Sequence, residues 1–216
     1  MNSCPSDRPI PSVIPKRPGT PFFVAGSPRS GFKLLAPLCL LLMLFGIVPS
    51  VEAQPPATVL LLRHAEKLTD GRVDLSSEGF ARAKDLPQLF LGPKSVFPRP
   101  DALFATHLSR HSNRPFETIE PLSKALNLTV DTTYVDDDYA SLAKLLLSGE
   151  YAGKIVLVAW HHGTLPQFAA ALGVDPQPIP WPATQFDHIW RIDWPQGATK
   201  PTFKDLPQQL MPGDSK

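Results

Sequence analysis

The sequence predicts an α/β fold with three layers, α/β/α, around a mostly parallel central sheet. Three observations carry that reading. Two continuous apolar runs, TVLLLR at 58–63 and GKIVLVAW at 153–160, have the composition of strands buried on both faces. Segments with a helical apolar face alternate with the strand candidates, the order expected of a sheet covered on both sides. Proline accounts for 26 of the 216 residues, and it gathers in the N-terminal lead and in LGPKSVFPRP and VDPQPIPWPA, which therefore read as loops.

Residues 1–53 read as a leader, and 54–216 as the domain. The lead up to Lys33 is basic with no acid beyond Asp7, and LLAPLCLLLMLFGIV at 34–48 is short for a bilayer span. Val51-Glu52-Ala53 before Gln54 then fits a signal peptide cleaved after Ala53. The alternative is an uncleaved anchor through 34–48. On either reading the domain is expected outside the cytoplasm, periplasmic or extracellular, with no stable membrane association once cleaved. Cys4 and Cys39 both fall in the leader, so the expected mature domain has neither disulfide nor thiol chemistry. A net charge of +1 offers no field for nucleic acid or an anionic membrane surface.

Within the domain the elements follow in order. After the strand at TVLLLR, LSSEGFARAKDLPQLFL reads as a helix capped by Ser76 or Ser77, with Glu78 near its positive end and a break near Pro87. DALFAT is a second strand. RPFETIEPLSKALNL is a helix with a bend at Pro121, and DYASLAKLLLSGE is another. GKIVLVAW is the clearest strand, TLPQFAAALG is a helix closed by Gly173, and FDHIWRIDW alternates as a last strand. Ligands of parallel sheets gather beyond the carboxyl ends of the strands. Arg63-His64 and His161-His162 each follow an apolar run, so they should share one rim.

These residues resemble those of the histidine phosphatase superfamily, also called phosphoglycerate mutase-like. LLRHAEK looks like its arginine-histidine signature, and DLSSEGFARA resembles the LTxxGxxRA segment that follows. SNRPFETIEPLSKALNL is similar to RAxxTAxPLAxxLGL, and VLVAWHHGTLPQFAAALG resembles the closing strand–histidine–helix unit. The four segments stand in family order over nearly all of Thr58–Trp194.

The resemblance implies a phosphoglycerate mutase-like fold and a metal-independent phosphatase that hydrolyses phosphomonoesters through a phosphohistidine, and the leader adds the expectation that it is exported. It implies His64 as the nucleophile and Arg63 and Arg114 as the phosphate clamp, a fork geometry that lysine cannot reproduce. No cofactor is implied, and no His/Cys/Asp spacing supports a metal site. The partner is a small phosphorylated substrate or a phosphorylated macromolecule. A phosphate-binding protein without turnover, or a mutase-type phosphotransferase, is the alternative.

Two assignments stay open. The second catalytic histidine is His161 or His162; keeping Trp160 beside it favours His162. The general acid is one of Asp136, Asp137 and Asp138, with Asp137 the central choice, or Glu66 two residues past the nucleophile. Arg110 and His111 read as a solvated loop that could extend the phosphate site, and His107 and His188 as structural.

Overall fold

The computed structural model describes residues 53–93 and 95–216. The 34–48 segment and both cysteines lie outside the described residues. Among the described residues, no helix is long and apolar enough to cross a membrane.

Strand β1, Thr58–Arg63, is buried along its whole length. Its side chains alternate between two cores. Val59 and Leu61 meet one apolar cluster, while Leu60 and Leu62 meet the other. A strand that buries both faces cannot afford a polar position, which is why TVLLLR shows no alternation. Each fully buried leucine contributes about 1.5–3 kcal/mol.

Helix α1, Ser77–Asp85, starts at Ser76, whose hydroxyl accepts the Gly79 amide at 3.1 Å. It stops where Pro87 has no N–H to continue the ladder, and Leu86–Leu89 continue as a 3-10 turn. Strand β2 is Ala102–Ala105 and helix α2 is Arg114–Leu126, with Pro115 in its first turn and Pro121 inside it. Asn127, left-handed at φ 55°, closes α2 with its amide on the Ser123 and Lys124 carbonyls. Strand β3 (Val130–Asp131) and a 3-10 turn at Asp136–Asp138 lead into helix α3, Tyr139–Leu146. Strand β4 is Ile155–Trp160, and helix α4, Leu165–Ala171, is followed by Gly173 at φ +94°. Strands β5 (His188–Asp193) and β6 (Thr202–Pro207) complete the chain.

The six strands form one sheet in the order β3-β2-β4-β1-β5-β6. The pairs β3–β2, β2–β4 and β4–β1 are parallel, and only the pairs made by β5 are antiparallel. Residues of α3 and α4 pack with Val59, Val156 and Val158 on one face. Residues of α2 and of the turn after α1 pack with Leu60, Leu157 and Ile189 on the other. The expected three-layer, mostly parallel architecture is therefore the one observed.

One expectation needs correction: FDHIWRIDW is not the last strand. TFKDLP pairs with it as edge strand β6, flanked by Pro201 and ending on Pro207. An edge strand needs only one partner and shows one face to water, so its polar, proline-bounded sequence reads as loop. The two-residue β3 is too short to leave any pattern.

Candidate active site

Parallel pairing brings the two histidine segments together. Arg63 stands opposite Trp160 in the β1–β4 register, and the His64 amide extends the ladder to the Trp160 carbonyl at 3.0 Å. Both chains then leave the sheet at the same edge, carrying His64 and His161.

His64 is 2% exposed. Its Nδ1 lies 2.7 Å from the Ala65 carbonyl oxygen. A carbonyl only accepts, so Nδ1 carries the proton and Nε2 keeps its lone pair. Burial lowers the His64 pKa to about 2, against the raising effect of that hydrogen bond; His161, Arg63 and Arg114 lower it further. The imidazole is neutral at physiological pH.

Arg63 is 1% exposed and is held by one corner of its fork. Its Nη1 donates to the carbonyls of Pro182 at 3.1 Å, Ala183 at 2.7 Å and Gln185 at 3.0 Å. The Phe186 ring lies 3.9 Å from the guanidinium carbon. Desolvation and the charge of Arg114 lower the Arg63 pKa to about 10, which still leaves it cationic at pH 7. Arg114, at the first position of α2, donates Nη1 to the Arg72 carbonyl at 3.1 Å.

The remaining donor edges of both arginines are bare. Among the described residues, four buried side-chain nitrogens have no hydrogen-bond partner; three are Arg63 Nε, Arg63 Nη2 and Arg114 Nε, the fourth His188 Nε2. Buried unpaired donors cost about 1–3 kcal/mol each, and more when charged. Two such edges around a neutral imidazole have the make-up of a receptor for a tetrahedral dianion.

The histidine whose ring lies against His64 is His161, the other member of the pair from the favoured His162. Its ring meets that of His64 edge-on, with centroids 5.3 Å apart. Thr106 lies 3.4 Å from its Nε2, and burial with Arg114, Arg63 and Lys67 nearby lowers its pKa to about 4. His162 is half-buried and feels the opposing charge of Asp136. The preference rested on Trp160, but that indole packs into the α3/α4 core and donates to Thr164 Oγ1 and the Asp136 carbonyl. Trp160 thus gives no guide to the histidine.

Of the acid candidates, Glu66 is engaged elsewhere. Both its oxygens accept from Arg82, at 2.9 and 3.1 Å from Nε, and that arginine also binds Asp214. Asp137 and Asp138 are exposed. Asp136 alone is drawn inward, accepting from the Thr164 hydroxyl at 2.7 Å, and burial raises its pKa above the ordinary carboxylate value. The 3-10 turn explains this, since successive residues there point 120° apart. Arg110 and His111 are exposed and bond each other, Arg110 Nε donating to His111 Nε2 at 3.1 Å. His107 lies 2.9 Å from the Thr132 carbonyl, and His188 lies 2.6 Å from Asp205. No group of three or more potential metal-ligating side chains occurs among the described residues.

Several supporting residues carry no assignment from the sequence. Phe186 sits between Arg63 and His64, its ring 6.0 Å from the imidazole. Gln208 holds the Phe186 carbonyl at 3.3 Å. Gly79 lies against the loop after His64, where a Cβ would meet the Glu66 carbonyl oxygen at 2.2 Å. The glycine and arginine of SEGFARA were the available signal; which backbone they touch is decided only by the packing of α1 beside the loop after β1. A cavity of about 660 Å³ is walled by Glu66, Arg82, Phe186 and Asp214, but none of the histidines lines it, nor does Arg63 or Arg114.

No family profile matches the chain, and a comparison with curated protein sequences finds no match. Similar solved structures include a proposed α-ribazole-5'-P phosphatase from Escherichia coli K-12, 18% identical, covering 69% of this chain and 96% of that one at a TM-score of 0.48. A phosphoglycerate mutase from Bacillus anthracis is 14% identical over 72% and 94%, with a TM-score of 0.45. A mycobacterial glucosyl-3-phosphoglycerate phosphatase, in complex with VO3, is 17% identical over 69% and 97%, also at 0.45. These matched chains are members of the histidine phosphatase superfamily. The TM-scores lie below 0.5, so the chemistry below stands on the geometry of this chain.

Proposed function

We propose that this chain is a histidine phosphatase that hydrolyses phosphomonoesters without a metal ion. The observation that carries the reading is the pairing of bare, buried donor edges on Arg63 and Arg114 with a neutral His64 whose proton is committed to the Ala65 carbonyl.

The Arg63 fork and Arg114 Nε take the phosphoryl oxygens and stabilise the charge that builds on them. His64 Nε2 attacks phosphorus as the bond to the leaving oxygen breaks. Asp136 delivers the proton that the leaving oxygen needs, a role its raised proton affinity suits. Water then attacks the phosphohistidine and gives its proton to the Asp136 carboxylate. The P–N bond breaks, and inorganic phosphate leaves. His161, neutral and edge-on to His64, donates to a phosphoryl oxygen. On the reading of residues 1–53 as a leader, this chemistry takes place outside the cytoplasm.

The test is hydrolysis of an aryl phosphate by the wild-type chain and by His64→Ala, with and without EDTA. Turnover that disappears in the variant and ignores EDTA supports the proposal. Phosphate or vanadate binding without turnover identifies a binding protein instead, and an EDTA-sensitive rate identifies a metalloenzyme.

A further inference from the structure

Thr118 is 2% exposed and sits one turn into α2, four residues after Arg114. Its hydroxyl donates to the Arg114 carbonyl at 2.7 Å. That direction leaves only acceptor lone pairs, and one of them takes the Ala65 amide at 2.9 Å. The other end of Ala65, its carbonyl, receives the His64 Nδ1 proton at 2.7 Å. One hydroxyl thus stands between the backbone of the arginine on α2 and the residue that orients the nucleophile. The two bonds to Ala65 are buried, where water competes little for them, and the bond to the Arg114 carbonyl is partly buried.

We infer that Thr118 is a positioning residue: through the Ala65 peptide it fixes the Nδ1–H tautomer of His64 and keeps the imidazole in register with Arg114. The inference rests on the phosphatase reading for its rate consequences, but not for its structural ones. The Ala65 N–H and the Ala65 carbonyl belong to successive planar peptides joined at one Cα, so pinning the first leaves φ and ψ of Ala65 as the only backbone rotations by which the carbonyl could turn away from Nδ1. A free Ala65 carbonyl would let the ring exchange tautomers, and a ring with its proton on Nε2 has no lone pair aimed at phosphorus. Helix geometry explains why this residue can serve. Position i+4 from Arg114 lies on the same face of α2, so its side chain reaches the same rim.

The experiment compares Thr118→Val, isosteric but without the hydroxyl, with Thr118→Ser, which retains it. Histidine-labelled full-length chains, six histidines in all, give long-range ¹H–¹⁵N imidazole spectra in which the two ring nitrogens of His64 are distinguished. The expected result is a protonated Nδ1 in the wild type and in Thr118→Ser, and a mixed or inverted tautomer in Thr118→Val. On an aryl phosphate, kcat falls roughly 10- to 100-fold in Thr118→Val, the range seen when a partner orienting a working histidine is removed. KM changes little, and Thr118→Ser recovers most of the rate. An unchanged tautomer and kcat in a folded Thr118→Val overturns the inference. Should Thr118→Val fail to fold, amide exchange in the wild type decides: a protected Ala65 amide supports the inference, and exchange as fast as an open loop overturns it. Absence of wild-type turnover with the tautomer pattern intact would sink the phosphatase reading and leave the role of Thr118 standing.

Discussion

The imidazoles of His64 and His161 meet edge-on, their centroids 5.3 Å apart and their planes at 71°. Two histidines this close cannot both be charged beside two arginines, and burial holds each in its neutral form. In the proposed mechanism, neutrality gives His64 a lone pair for phosphorus and leaves His161 a donor for the substrate, and the positive charge rests on Arg63 and Arg114, which do not react.

That arrangement ties stability to pH. The pKa of His64 falls from an ordinary 6.5 to about 2, and that of His161 to about 4. Below pH 6.5 the unfolded chain therefore binds protons that the folded chain refuses, so stability is lost as pH falls from 6.5 towards these values. At pH 5 each histidine costs about 2 kcal/mol relative to pH 8. His161→Gln should flatten this acid limb by about that amount in urea unfolding at the two pH values. An unchanged slope would mean that the ring is solvated.

Arg63 tests the fork. Its Nη1 is spent on the 182–185 turn, and Nε with Nη2 remain for substrate. Lysine keeps the charge but offers a single point donor. Arg63→Lys should lower kcat/KM for an aryl phosphate by about 10²–10³, with the melting temperature checking that the fold survives.

Leaving-group dependence tests Asp136. An aryl phosphate with an acidic phenol leaves without a proton, whereas an alkyl phosphate requires one. Asp136→Asn should depress kcat for the alkyl ester by about 10²-fold or more and spare the aryl ester. Asp137→Asn, changing an exposed side chain, should alter neither. Equal effects of Asp136→Asn on both esters would remove it as the acid.

Gly79 tests the support of the loop. An added methyl would sit 2.2 Å from the backbone oxygen of Glu66, which cannot rotate away as a side chain could. Gly79→Ala should cost about 1–3 kcal/mol in denaturant unfolding and reduce activity, because the displaced peptide is two residues from His64.

The two histidine segments of the candidate site were legible because each follows a continuous apolar run. A strand buried on both faces announces itself, and the side chains at its end must face the rim. That logic brought Arg63, His64 and the tandem histidines to one rim, while Arg114 was singled out only by the resemblance of SNRPFETIEPLSKALNL to the family segment. It favoured His162, whereas the ring against His64 is that of His161, since neighbouring residues at a strand end differ only in how the turn directs them. It did not separate Asp136 from Asp137, because a 3-10 turn carries no apolar pattern. Phe186, Thr118 and Gln208 meet the site through contacts made across the fold, and although Thr118 stands at the threonine of the family segment, nothing in the local sequence names the partners of any of them. Strand β6 escaped notice because an edge strand bounded by prolines has almost no periodic signal.

The most direct measurement of the central claim is covalent. Full-length wild-type and His64→Ala chains are quenched within a turnover on a ³²P-labelled phosphomonoester and assayed for label on protein. The account predicts an acid-labile, base-stable phosphoprotein in the wild type and none in His64→Ala. Label that survives acid, or that persists without His64, would contradict it.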